Sequence, residues 1–491
     1  MKFAFVKDVS VVTAPPPNYA VSTGDWNGSI ALKPTKPWAA RGLSRFKIPQ
    51  LSAWLRLFAA VSLLAGVVAL PAQAAVTAPV YSVLHNLDGN DSFTKVEVTI
   101  GSDGSLYGTT PYGGTDRYGT IWKINPAGAF SVLHHFNVTN GDYPTGVTLG
   151  SDGSLYGTAA GGGTTDHGTL WKMNSAGAFS VLHNFDGTNG DTPYAGVTLG
   201  SDGSLYGTTT NGGTYDRGTL WKLHPAGAFS VLHHFGRTNG ENPYAGVTLG
   251  SDGSLYGTTS WGGIGYGTVW KMNPAGAFSV LHYFGGTNDE NPYAGVTIGS
   301  DGSLYGTTTG IEFGGNGTIW KIDPAGAFSV LHDFDYTDGA YSYAGVTIGS
   351  DGSLYGTASQ GDPDGYGTIW KINPAGDFSV LHRFDDTNGS YPMDGITIGS
   401  DGSLYGTTVS GGSGGGGVVY RLTLPTSTVP GDISGDGKVD CADIKAAKLS
   451  FGKRQGQAGF NANADTNNDN VINIRDLVFV SRRLSSGLIC S

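Results

Sequence analysis

The chain has 491 residues and a formal net charge of −11, and its 81 glycines follow no three-residue period, which excludes a collagen-like rod. Aromatic residues make up 11% of it, too many for a disordered low-complexity chain, and the acidic balance argues against a nucleic-acid partner. It suits a soluble acidic protein that binds cations.

Residues 1–40 match no targeting pattern and are read as a leader of unknown role, with the true start of translation left open. Residues 41–74 read as a signal peptide. Arg41, Arg45, Lys47 and Arg56 come with no acid among them, the apolar run Leu57–Leu70 follows, and Ala72 and Ala74 supply the small side chains ahead of a cleavage after Ala74. That run is shorter than the roughly 20 residues needed to cross a bilayer. The mature chain is therefore expected to be secreted, extracellular or attached to the cell surface, without a membrane span and as a monomer.

Over residues 80–424 the chain repeats itself. The string "SDGSLYGT" starts at Ser102 and returns at Ser151, Ser201, Ser251, Ser300, Ser350 and Ser400. In the copy around Ser201, "AGVTLG" (195–200) and "SLYGTT" (204–209) alternate on either side of Asp202-Gly203, where positive φ comes cheaply. "GTLWKL" (218–223) and "FSVLHHF" (229–235) follow around a Pro-Ala-Gly turn. Four antiparallel strands per unit of about 50 residues are the signature of a β-propeller blade.

The phase of the repeat predicts how the ring closes. "YSVLHNL" (81–87) matches the fourth strand and "GVVYRLTL" (417–424) the third. The N-terminal segment then supplies the outer strand of the last blade, giving an all-β seven-bladed propeller without an orphan edge. An open solenoid is the rival; it wants atypical capping repeats, and none are visible. Tryptophans recur in register from Trp122 to Trp370 with Tyr420 in the seventh place, and histidines recur from His85 to His382. The histidines are read as blade packing rather than as a metal ring. This repeat resembles the GloVer tandem repeat of bacterial exported proteins. The resemblance implies export and commonly surface attachment, and it brings no established activity.

Two connections per unit are nearly constant and two vary. In an up-and-down blade the variable pair shares one face, carrying Tyr112, Trp261, Phe313, Tyr336, Tyr341 and Tyr366 among acids and amides. That mixture suits the apolar faces and hydroxyls of sugar rings, so these six are the candidate ligand-binding residues. Loop acids such as Asp116, Asp166, Asp216, Glu241, Glu290, Glu312 and Asp364 include no obvious pair for acid–base work, and no catalytic residue is nominated.

A linker at residues 425–430 leads into a module at residues 431–491. "DISGDGKVDCAD" places Asp432, Ser434, Asp436, the Lys438 carbonyl, Asp440 and Asp443 at positions 1, 3, 5, 7, 9 and 12 of a calcium loop. "DTNNDNVINIRD" repeats the scheme with Asp465, Asn467, Asp469, the Val471 carbonyl, Asn473 and Asp476, and Asn470 takes the turn position of Gly437. Two Ca²⁺ ions are expected, each loop leading into a helix. The paired loops, each ending in Asp, resemble the type I dockerin over about Gly431–Leu484. The resemblance implies a cohesin-like partner and a link to polysaccharide breakdown. At the positions where the family reads cohesin this chain has Cys441–Ala442 and Ile474–Arg475, so calcium binding carries over better than cohesin recognition. In such a module the two ends approach, so a Cys441–Cys490 disulfide suits an oxidising compartment, with two free thiols as the alternative.

Two functions compete on this reading. The first is an exported calcium-binding recognition protein for a glycan or protein. The second is a glycoside hydrolase or lyase tethered through its dockerin-like module.

Overall fold

The computed structural model describes residues 78–88, 97–285, 291–310, 314–361, 364–425, 431–434, 439–467, 469–484 and 490. The leader and the signal peptide lie outside them.

Seven antiparallel sheets follow one another along the chain, a seven-bladed β-propeller. In the blade quoted above the strands are Thr198–Leu199, Leu205–Thr209, Thr219–Leu223 and Phe229–His234, hydrogen-bonded in that order. The first strand has only two residues, shorter than its alternation predicts. The reason lies in its neighbours. Val197 and Ala195, just upstream, give their carbonyls to the hydroxyls of Thr148 and Thr158 on the preceding blade. The same threonine reaches forward in every blade, from Thr99 to Val147 through Thr347 to Ile396, and Thr397 returns to Val98. These seven bonds close a circle around the axis, so the first strand is the innermost.

Closure occurs at the outer edge as well. Val80–Asn86 pairs antiparallel with Val418–Thr423, Val80 opposite Thr423 and Asn86 opposite Val418, completing the last sheet. Each outer-strand histidine stacks on the first phenylalanine of the next outer strand, as in His183 on Phe229 at 3.7 Å and 4°. At the seam His382 stacks on Tyr81 at 3.9 Å and 2°. The histidines are packing groups, as the register implied.

The core lies between blades. Trp221, fully buried, joins Leu170, Phe185, Val197, Leu205 and Leu223, so one indole binds two sheets together. The glycine of "SLYG" exists for that indole: a Cβ at Gly207 would sit 2.3 Å from Trp221 Cζ2. Burial of such a side chain is worth about 3 kcal/mol before packing is counted.

After the linker, Cys441–Leu449 (α1) and Ile474–Ser481 (α2) pack over Ile433, Ile444, Ala447, Ile472 and Val480. No helix among the described residues is long and apolar enough to cross a membrane.

Candidate ligand face and candidate calcium module

The two ends of the propeller are chemically unlike. On the constant end the lysine of the third strand and the aspartate of the first turn partner each other in blade after blade. Lys222 stands over the Tyr206 ring at 5.1 Å and pairs with Asp202 at 3.5 Å, while Asp202 accepts from the Ser204 amide at 2.9 Å and its hydroxyl at 2.8 Å. The serine contacts hold Asp202 below the usual carboxylate range, and the contact with Tyr206 raises Lys222. Arg421, Tyr405 and Asp401 repeat the arrangement in the seventh blade.

On the other end the loop entering each innermost strand folds back along the loop leaving a second strand. Asp142 pairs with Gly161, Asp191 with Asn211, Glu241 with Trp261, Ala340 with Gln360 and Ser390 with Ser410. The following residue is left-handed in six loops, with φ of 56° at Tyr143, 58° at Thr192, 53° at Asn242, 55° at Asn291, 56° at Tyr341 and 57° at Tyr391. Such a conformation costs about 1–2 kcal/mol. It is offset by a bond across the blade gap, as where the Asn242 amide donates to the Arg217 carbonyl at 3.0 Å and the Tyr391 amide to the Tyr366 carbonyl at 2.9 Å. These loops are tied to their neighbours.

Two residues further on, Tyr194, Tyr244, Tyr293 and Tyr343 enter the innermost strands of four successive blades. Their rings lie 5.6, 5.0 and 5.5 Å apart in sequence. Tyr143, whose hydroxyl is pushed up by burial, meets Tyr112 edge-on at 5.0 Å. At the axis, Glu97 stands where other blades have Gly196, Gly246 or Gly295. Glu97 lies against Gly395 of the preceding blade, and burial pushes its carboxyl up. The Thr397 hydroxyl reaches it at 3.3 Å.

Acids on this face differ in their surroundings. Asp191 pairs with His167 at 3.3 Å, and Glu241 pairs with Arg217 and, at 3.9 Å, with Arg237. Asp142, at the matching place, is half-buried, and burial, with Asp166 adding its charge, pushes it up to about 6. Asp166 and Asp216 accept amide bonds inside their own loops, from Gly162 and Gly212, so both shape the backbone.

In the module each helix starts from its loop. Asp440 caps α1 and Asn473 caps α2, and Asp443 and Asp476 return the bond to the cap amides at 2.7 and 2.9 Å. Asp443 and Asp476 are fully buried, and Asp432 beside the first is 3% exposed. In the second loop Asp465 accepts from Asp469 and Asn470 amides at 3.0 and 2.7 Å, and Asn467 from the Asp469 amide at 2.9 Å. Asn470 is left-handed, φ 64°, as its turn position requires. Oxygen donors alone, several on buried carboxylates, fit a hard cation such as Ca²⁺. Asp436 and Lys438 lie outside the described residues. Cys441 at the start of α1 is joined to Cys490, with Cα atoms 5.2 Å apart.

The Gloeobacter/Verrucomicrobia repeat model matches residues 73–264 and again 245–434. The chain belongs to the Gloeobacter/Verrucomicrobia repeat family. The type I dockerin model matches residues 430–485 of this repeat protein, and dockerins of that type generally bind calcium, occur in extracellular proteins and imply a cohesin-type partner. Among curated proteins no sequence matches. Among solved structures it is similar to a catalytically inactive virginiamycin B lyase from Staphylococcus aureus with quinupristin, at 16% identity and TM-score 0.50, over 70% of this chain and 99% of that one. A gluconolactonase from Xanthomonas campestris aligns at 12% identity and TM-score 0.40, over 71% and 90% of the two chains. The WD40 β-propeller domain of Doa1 aligns at 11% and 0.47, over 70% and 96%. At these identities the likeness is one of fold.

The six aromatic residues singled out in the repeat protein's sequence are not gathered into one site. Tyr112 is exposed beside Tyr143. Trp261 lines a shallow groove with Arg237, Glu241, Asn242 and Ile264. Tyr336 is exposed near Gly365, Tyr341 holds one of the left-handed positions, and Tyr366 packs against the core between the last two blades. Phe313, Glu290 and Glu312 lie outside the described residues. The tyrosine row was missed, although a Tyr before Ala-Gly in "TPYAG", "NPYAG" and "YSYAG" was its signal.

Proposed function

We propose that this chain is an exported, non-catalytic recognition protein whose variable propeller face binds a glycan or protein ligand. The module, on this reading, binds two Ca²⁺ ions through the loops Asp432–Asp443 and Asp465–Asp476 and docks to a cohesin-like protein or stabilises the C-terminus. One observation carries the ligand reading. Charged groups on the constant end are spent on one another in blade after blade, whereas the opposite end presents exposed tyrosines and differing acids on loops fixed by interblade bonds. The Cys441–Cys490 link suits an oxidising compartment, and it occupies one place where the dockerin family reads its partner. At the matching place on α2, Ile474 is exposed.

One feature favours an enzyme acting on polysaccharide instead: Asp142 is half-buried with Asp166 adding its charge, and its carboxyl is raised in the direction that a general acid needs. Incubation with a panel of plant and microbial polysaccharides separates the readings. Retention on an insoluble polysaccharide without release of reducing ends is expected. Release that disappears in Asp142→Asn would establish the enzyme.

A further inference from the structure

Equivalent side chains of neighbouring blades touch only close to the axis, because blades diverge outward. The ring spacings of 5.0–5.6 Å therefore put Tyr194, Tyr244, Tyr293 and Tyr343 around the channel mouth as a continuous curved arc. Tyr194 is 50% exposed, and Tyr244, Tyr293 and Tyr343 are partly exposed.

The fold does not require tyrosine there. The seventh blade has Met393 at this position, and the second blade is one residue shorter, running Pro144-Thr145-Gly146. The interblade core is built from the tryptophans instead. Four partly exposed aromatic rings kept in contact at one end of the ring are a surface for a ligand with flat apolar faces.

Charge narrows the class. Asp142, Asp191 and Glu241 follow one another in the loops that lead to the arc, and Glu97 stands at the equivalent of Gly196 in the first blade. Against them stand Arg217 and Arg237, so the mouth is negative and repels polyuronates. Carboxylates only accept hydrogen bonds; every hydroxyl of a sugar can donate to them, whereas an extended peptide offers one N–H per residue and as many carbonyls that the carboxylates leave unsatisfied.

Resting on the reading of this end as the ligand face, we infer that the tyrosine arc binds an uncharged, unbranched glycan, successive sugar rings stacking on successive tyrosines. The steps between rings are close to the length of one hexose unit.

Calorimetric titration of the full chain with cellohexaose, xylohexaose and mannohexaose tests this, with hexagalacturonate and a proline-rich decapeptide alongside. At least one neutral hexasaccharide is expected to bind. Tyr244→Ala with Tyr293→Ala should weaken it by roughly tenfold or more, the size of lost aromatic contacts. Phe at both positions should retain most of the affinity. Should the double variant melt early, Tyr194→Ala, at a half-exposed ring, provides the same readout. Loss in Trp261→Ala with none in the tyrosine variants would overturn the arc and leave the ligand face standing. Binding of hexagalacturonate or the peptide alone would overturn the glycan class. Absence of binding to every probe would remove both the arc and the glycan form of the ligand face.

Discussion

In the propeller neighbouring blades are fastened by a buried indole (the Tyr420 ring in the seventh blade), a stacked imidazole and threonine hydroxyls, whereas the module from Gly431 to Cys490 holds two short helices around buried carboxylates. The propeller's contacts are apolar area and backbone bonds, which respond little to ions. Asp443 and Asp476 instead draw their caps inward at the cost of burying charge, a cost that a bound cation relieves. The same chain thus contains one part stabilised by surface area and another that, on the calcium reading proposed above, depends on dissolved metal.

The largest expected effect follows directly. Adding EDTA to the full chain should abolish the module's calorimetric transition while leaving the propeller's in place, and Asp436→Ala with Asp469→Ala should act likewise without a chelator. If both transitions move together, or neither moves, the contrast is broken. Next in size, Trp221→Ala should cost about 3–5 kcal/mol of propeller stability in denaturant unfolding, because two blades lose a shared side chain. The module's transition should not shift.

Acid should produce the smallest change, again in the propeller. Burial lowers His134, His233 and His382 to about 4 and lowers His183 and His282 as well. Unfolded histidine titrates near 6.5, so the neutral stacks contribute fully above that pH. Their contribution is lost progressively as pH falls from about 6.5 towards about 4, where the unfolded chain takes up the protons first. A propeller melting temperature that declines across that window, and less steeply in His233→Phe, is the expected result. An unchanged slope in that variant would show that carboxylates govern the acid limit.

The ring was legible in the sequence because its phase is written there: a fourth strand at Tyr81–Leu87 ahead of a first, and no fourth strand after Leu424. Register also marked the histidines, though not their partners, since His183 and Phe229 meet only across a gap between blades. The binding face was legible as a face and not as a site. Tyr112, Trp261 and Tyr336 stand out because their loops vary, yet the structure separates them. Tyr194 and Tyr244 sit in nearly constant strings that read as scaffold, and 50 residues of sequence part them until the circle closes. A shortened innermost strand was hidden for a related reason: alternation reports which side chains face inward, while the bonds that end the ladder come from threonines of the preceding blade.

The pairing of Val80 with Thr423 also has a bearing on biosynthesis. A ribosome makes the first partner hundreds of residues before the second, so the earliest ribbon must wait, unmatched, while six sectors form behind it. A product cut short before Val418 would keep that ribbon and the far seam both bare, two templates for joining other chains. Closure is thereby checked by the molecule itself: only a copy that extends through Thr423 can cover its earliest strand.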